Sequence, residues 1–230
     1  MNIDDLRVAL DNHLCLGKER PLVELVSKVE QILVPFVADC RWLPPAYFKP
    51  IVKEGFSQYH LCSSRFEKWH AVLCVWPAGA ETAIHDHGGW GVVGIIKGEE
   101  TTVWYRSKAV SITDSRGIDE IGRTVSRKGD FHHFLSRDYI HRVINSGTST
   151  AISLHVYEVN LGLVGRNQFD PEDGVWCHCT VPYDNNVGSE FANQATRGKK
   201  VSFKAVLPLI WYRRKIYPFP NSLNTTLYGR

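Results

Sequence analysis

The sequence predicts a mainly β protein, a small antiparallel barrel or sandwich preceded by helices. Three observations predict it: strand-length apolar blocks from Tyr59 onward, turn residues between them at regular intervals, and helical spacing of the apolar residues before them. Residues 3–13 read as a short helix. Pro21 to Asp39 reads as a longer one, because Leu22, Leu25, Val26, Val29, Ile32, Leu33 and Phe36 recur at helical spacing. Pro21 suits a first helical position, and Pro35 is expected to bend the helix or end it early. Trp42 to Pro50, WLPPAYFKP, is expected to be irregular.

The strands follow in order. YHLCSS from Tyr59, WHAVLCVWPAG from Trp69, the histidine-bearing stretch and GEETTVWYR from Gly98 come first. Ser111 to Lys128 lacks a long apolar run and reads as a hairpin on the rim. Gly129 to Asn145 and the strand TAISLHVY, Thr150 to Tyr157, return to the barrel. After Gly174 the pattern weakens: NNVGSEFANQATRGKK is a polar loop, and VSFKAVLPLIWY is apolar before the basic Arg213, Arg214 and Lys215, which read as a solvated cluster.

Composition narrows the class. The 230 residues are 43% hydrophobic and 22% charged, with a formal net charge of +3, too small to imply a nucleic-acid partner. Six scattered cysteines without a CxxC pair, and a charged start without an apolar leader, imply reduced thiols and a cytoplasmic protein. No apolar run reaches membrane length. One domain is expected over 1–230: N-terminal helices over 1–45, a barrel core over 46–174 and a C-terminal extension over 175–230 packed on or near the barrel.

The chemistry concentrates in Gly79 to Gly98, GAETAIHDHGGWGVVGIIKG. On a strand, His85 and His87 project to one face and Asp86 to the other, so the two imidazoles can share a metal that Asp86 cannot reach. Val92, Val93, Ile95 and Ile96 then read as a buried strand. His141, opening IHRVIN after a turn-prone RDY, is the best third ligand. Three neutral imidazoles would leave a divalent metal its full +2 charge, so the centre should attract an anionic ligand. Imidazoles alone are compatible with Fe, Zn, Cu or Ni.

The spacing Gly79, His85-x-His87, Gly91, Gly98 resembles the first cupin motif, with Gly91 where a glutamate is common. Gly129 followed by His141-x-x-x-Asn145 resembles the second, one residue longer than usual and without its proline. The resemblance implies a double-stranded β-helix, or jelly-roll, barrel. HDHGGWGVVG, IHRVIN and SLHVYEVNLG together resemble the thiol dioxygenases of the cysteine dioxygenase family, and most closely the bacterial 3-mercaptopropionate dioxygenases.

That resemblance implies Fe(II) held by His85, His87 and His141, and an outer relay of Ser153, His155 and Tyr157. Alternation independently places those three relay residues on one strand face. It implies a small carboxylated thiol and O2 as substrates and a sulfinate as product. Cysteine dioxygenases carry an arginine after a Tyr-x near the barrel's start; here that stretch reads YHLC, with Leu61 in its place. In the mercaptopropionate branch an arginine after the SxHxY strand holds the substrate carboxylate, and Arg166 lies at that spacing. With no cysteine between His87 and Val103, Tyr157 should be unmodified.

Other readings stand beside these. For Arg166 the alternative is a surface or ion-paired arginine. Trp90 is assigned to the substrate pocket, with barrel packing as the alternative. Gly89, where relatives often carry a larger residue, would enlarge the pocket and admit a bulkier mercapto acid such as mercaptosuccinate. His132 and His133 are adjacent, cannot share a face, and are excluded as ligands. Cys177-His178-Cys179 lacks the paired spacing of structural zinc sites and reads as packing. A cupin enzyme with another substrate, or a non-catalytic small-acid binder, is the alternative function. The protein is expected to be a monomer or small homo-oligomer.

Overall fold

A computed structural model describes residues 1–14, 21–51, 55–107, 117–135, 139–186 and 201–202. Two helices, α1 (Ile3–Leu14) and α2 (Leu22–Ala38), precede the strands. Pro21 sits one position outside α2, as its N-cap, with φ −53° and ψ 134°. Pro35 does not end α2, which continues to Ala38. The position lacks only one backbone donor, and Asp39 N–H still closes the last turn on Pro35 O at 3.2 Å. The expected irregular stretch instead holds two 3₁₀ turns, Cys40–Trp42 and Pro45–Phe48.

The strands are β1 (Ser57–Ser63), β2 (His70–Trp76), β3 (Ile84–His85), β4 (Gly91–Lys97), β5 (Glu99–Ser107), β6 (Ile118–Arg127), β7 (Phe131–Phe134), β8 (Ile140–Ile144), β9 (Ala151–Tyr157), β10 (Arg166–Asp170), β11 (Val175–Cys179) and β12 (Val201–Ser202), with a short helix α3 (Leu161–Val164) before β10. They form two antiparallel sheets, ordered β1-β2-β9-β4-β7 and β12-β11-β10-β3-β8-β5-β6. The fold is the expected mainly β, double-stranded β-helix barrel of the cupin type with N-terminal helices.

Alternation along the central strands divides the core. Ile152, Leu154 and Val156 of β9, with Leu73 and Val75 of β2 and Val92 and Ile96 of β4, pack against Leu6, Leu10, Val26, Val29 and Leu33 of the helices. Val72, Cys74 and Trp76, with Val93 and Ile95, face the barrel interior. All seven residues of β9 are buried, because helices cover one face of its sheet and the barrel interior the other.

Three expectations change at the periphery. Residues 118–127 are one largely exposed ten-residue strand paired to β5 at the sheet edge, while 111–116 of the expected rim hairpin lie outside the described residues. The chain past Gly174 keeps its pattern: β11 pairs with β10 over five residues and continues the sheet. The turn Asp184–Asn186 then covers the free edge of β1, with Gln58 N–H donating to Asp184 at 2.7 Å and His60 N–H to Asn185 at 2.9 Å. The polar loop expected after Asn186, except its end at the short strand β12, and the basic cluster lie outside the described residues.

No helix among the described residues is long and apolar enough to cross a membrane. Leu33 is fully buried between α2 and the sheet. Leu33→Ala should cost about 2–5 kcal/mol of stability, read as a lower urea midpoint; an unchanged midpoint would mean that α2 adds nothing to the core.

Candidate metal centre

His85 and His141 stand directly opposite each other on β3 and β8. His87 lies two residues past the end of β3, which is only two residues long rather than the extended strand expected. It still turns to the same side as His85, because Asp86 between them is pinned outward. Asp86 accepts hydrogen bonds from Asn167 N at 2.9 Å and Nδ2 at 2.7 Å, and its own N–H donates to Asn167 O at 3.1 Å. Burial raises the Asp86 carboxyl, and the Asn167 bonds oppose that shift.

The Nε2 atoms of His85 and His87 approach to 3.1 Å, and those of His87 and His141 to 2.9 Å. His85 Nδ1 lies 2.8 Å from Ala83 O, a carbonyl that can only accept, so this ring is protonated at Nδ1 and its Nε2 carries a lone pair. Burial holds His85 neutral, lowering it to about 3, with the Arg166 charge as the second cause. His87 and His141 are also driven well below the usual imidazole range, by burial first and by the neighbouring histidines next.

A donor set of uncharged nitrogens converging this closely fits a divalent cation. Metal–imidazole bonds of about 2.1 Å at right angles would place neighbouring nitrogens about 3.0 Å apart. Among the described residues, His85, His87 and His141 are the group able to hold a metal ion.

The surroundings explain the missing carboxylate. Phe134 stacks on His87 with centroids 4.5 Å apart, and Tyr157 packs against the same ring at 5.0 Å. A Cβ on Gly91 would lie 2.2 Å from the Phe134 ring. Phe134 therefore occupies the space that a glutamate at position 91 would need. Trp104 sets its edge against His141 at 5.2 Å.

The relay residues stand on the inner face of β9. Tyr157 OH and His155 Nδ1 are 2.6 Å apart, and Ser153 Oγ and His155 Nε2 2.7 Å. The Trp76 indole N–H donates to Ser153 Oγ at 3.0 Å. Burial lowers His155 to about 3, so its ring is neutral, and raises the Tyr157 hydroxyl well above its usual range.

Arg166 opens β10 directly after Gly165, whose φ of +72° turns the chain out of α3. A Cβ there would lie 2.7 Å from Cys179 O. The guanidinium is buried, donates to Gln58 Oε1 at 3.2 Å through Nη2, and forms no ion pair among the described residues; its Nε has no hydrogen-bond partner. It lines an inner chamber of about 20 Å³ with the three histidines, His155 and Tyr157. An outer pocket of about 320 Å³ shares Phe56, Gln58, Thr82, His85 and Arg166 with that chamber, so Arg166 stands at the junction.

Three expectations about the pocket are corrected. Trp90 lines neither chamber: alternation along the extended chain puts it with Val92 and Ile96 in the helix-side core. Gly89 does not enlarge the pocket, since a Cβ there would meet Glu158 Oε2 at 2.5 Å. Leu61 also packs on the helix side, and the β1 residue that faces the cavity is Gln58.

His132, excluded as a ligand, is buried and lines the inner chamber, whereas His133 points outward to Glu30 at 2.6 Å. Gln58, Phe134 and Trp104 escaped the sequence reading, and His132 was weighed there only as a ligand. Alternation along β1, β5 and β7 was the signal that could have found them. Cys177 and Cys179 share a face with sulfurs 3.5 Å apart, while His178 between them contacts Asn167 and Val164 O instead. That arrangement is packing. No disulfide joins the cysteines among the described residues.

Comparison with known proteins agrees with this site. Residues 54–169 match the family model of cysteine dioxygenase type I. Among solved structures, the chain resembles TT1209 from Thermus thermophilus at 17% identity and a TM-score of 0.39, covering 51% of this chain and 95% of that one. It resembles a cupin superfamily protein from Desulfitobacterium hafniense at 15% identity and a TM-score of 0.38, covering 53% and 94%. An oxalate oxidase in complex with the substrate analogue glycolate matches at 16% identity and 0.38, covering 50% and 60%. The segment matched by the family model spans half of the chain and contains the three histidines, the Ser-His-Tyr relay and Arg166: the protein belongs to the cysteine dioxygenase type I family.

Proposed function

We propose that the protein is a mononuclear iron thiol dioxygenase that converts a small carboxylated thiol of the 3-mercaptopropionate type and O2 into the sulfinate. The observation that carries this reading is Arg166: a buried guanidinium, without an ion-pair partner among the described residues, lining the same chamber as the histidines. A buried cation is costly unless it is paired, and a substrate carboxylate would supply the pair in a bidentate geometry. The outer pocket is at the lower end of ligand-pocket sizes, roughly 300–1,000 Å³, which suits a small acid.

His85, His87 and His141 would hold Fe(II), which would supply the redox chemistry that activates dioxygen toward a thiolate. The protein residues do the rest. Gln58 steadies the Arg166 fork through Oε1, and Arg166 orients the substrate by its carboxylate end. Phe134, Val93 and Val143 line the inner chamber with apolar surface and limit its water. Tyr157, tethered by His155, presents its hydroxyl to that chamber and can hold or pass a proton at its oxygen. A fixed proton carrier at the reacting atoms helps both the loss of the thiol proton and the charge that develops during oxygen transfer.

Oxygen uptake by Fe(II)-loaded protein, with products identified by mass, should be fastest for 3-mercaptopropionate in a panel that includes cysteine, mercaptosuccinate and cysteamine. Arg166→Ala should raise KM for the carboxylated thiols by at least tenfold and leave cysteamine little affected; equal loss for all four would remove Arg166 from carboxylate binding. No sulfinate from any thiol, with the iron site filled, would overturn the dioxygenase reading. Tyr157→Phe should keep its iron and lose on the order of 10²-fold in kcat, and unchanged turnover would remove the relay from the mechanism.

A further inference from the structure

Behind the relay lies a carboxyl group that the reaction as described does not use. Glu100 of β5 is completely buried, and neither of its oxygens makes a hydrogen bond of full geometry among the described residues. It shares the inner face of β5 with Thr102, whose buried hydroxyl also lacks a partner, and it stands opposite Ser126 of β6. Ser153, the outer end of the relay, is the neighbouring polar group whose hydroxyl favours the ionised form of Glu100.

The donor and acceptor inventory of this chain is closed. The Trp76 indole can only donate, so it occupies one lone pair of Ser153 Oγ. Ser153 has one lone pair and one proton left, and a neutral His155 has one donor and one acceptor nitrogen. With one Glu100 oxygen turned to Ser153, two arrangements therefore satisfy Ser153 Oγ, both His155 nitrogens and the Trp76 indole. In the first, Glu100 is protonated and donates to Ser153, Ser153 donates to His155 Nε2, and His155 Nδ1–H donates to Tyr157, whose own O–H is free to point into the chamber. In the second, Glu100 is ionised and accepts from Ser153, His155 Nε2–H donates to Ser153, and Tyr157 O–H donates to His155 Nδ1, turning a lone pair to the chamber.

We propose that Glu100 is the proton reservoir of the relay and sets whether Tyr157 meets the bound ligand as a donor or as an acceptor. The two arrangements differ by one proton moved along the chain. Tyr157 gives its proton to an acceptor atom of the ligand and takes one from His155 Nδ1; His155 Nε2 takes one from Ser153, and Ser153 takes one from Glu100. Glu100 ends as a carboxylate, the ligand gains one proton, and neither His155 nor Tyr157 is ever charged. Running the chain backward accepts one proton, such as that of an arriving thiol.

The interior supports such a reservoir. Burial raises the Glu100 carboxyl to about 7, so both forms are accessible near neutrality. The titratable and charged groups turned to the same interior are Cys74 of β2, His85 of β3, His87 beyond its end, His132 of β7, His141 of β8, His155 and Tyr157 of β9, and Arg166 of β10. Burial raises Cys74 and Tyr157, and the Glu100 charge adds to both shifts. His132 is lowered to about 4 and stays neutral.

The inference rests on the relay and not on the identity of the thiol, and its test reads the relay directly. Nitrogen-15 histidine NMR on the full chain, with the three-histidine site filled by diamagnetic zinc(II), reports which His155 nitrogen carries the proton. In the wild type, His155 should exchange Nδ1–H for Nε2–H as the pH rises through about 7. In Glu100→Gln the amide donates permanently to Ser153, and His155 should hold Nδ1–H throughout. Ser153→Ala, which cuts the chain without touching the carboxyl, should also abolish the switch, while the infrared band of a buried carboxylic acid still titrates.

A wild-type His155 that keeps one tautomer across the range overturns the proposal, as does a switch that survives in either variant. The two readings fail separately. A tautomer switch in a protein that oxidises no thiol overturns the dioxygenase reading alone, and thiol oxidation without a switch overturns the role of Glu100 alone.

Discussion

Three neutral imidazoles whose Nε2 atoms crowd together in a dry interior form a donor set that a cation at their meeting point would satisfy. Much of the architecture serves to impose this arrangement. His85 and His141 face each other across a ladder, Asp86 is tied outward to Asn167, and Phe134 and Tyr157 both pack against the His87 ring. Burial keeps the rings neutral, so the nitrogens remain available as ligands. Phe134 serves twice, since the ring that stacks on His87 also fills the space beside Gly91. An all-imidazole centre and a glycine at position 91 are thus one structural choice.

The same scarcity of negative charge organises the surrounding chamber. Arg166 lies at the junction of the two pockets, held by a neutral amide rather than by a carboxylate. The Glu100 carboxyl is buried on β5 and does not line the chamber. Positive charge without a fixed partner at the entrance favours an anionic ligand, while the acid at the rear is reached through the relay. These are separate ends of one polar path across an otherwise apolar barrel.

The helices matter to this path through β9. That strand carries Ile152, Leu154 and Val156 on one face and Ser153, His155 and Tyr157 on the other. Packing α2 over the first face anchors the register of the second, because a one-residue slip would exchange apolar and polar residues between helix and metal site. The edge turn at Asp184 and Asn185 steadies β1, and with it Gln58, from the opposite side.

Residue order alone determined the features that depend on local periodicity: the two N-terminal helices, the run of antiparallel strands, and the shared face of Ser153, His155 and Tyr157. Motif spacing likewise found His85, His87 and His141, because a strand's alternation and a ligand pair's separation are properties of neighbouring residues. Pairing across the barrel was decided only in the tertiary structure. Trp90 and Leu61 went to the helix side and Gln58 to the cavity, since the register of β1 and β4 decides which alternate set faces inward. Phe134 against Gly91 and Glu158 against Gly89 join residues far apart in the chain, and no local pattern records such contacts. The sequence determined which side chains could share a face; the folded sheets decided what each face would meet.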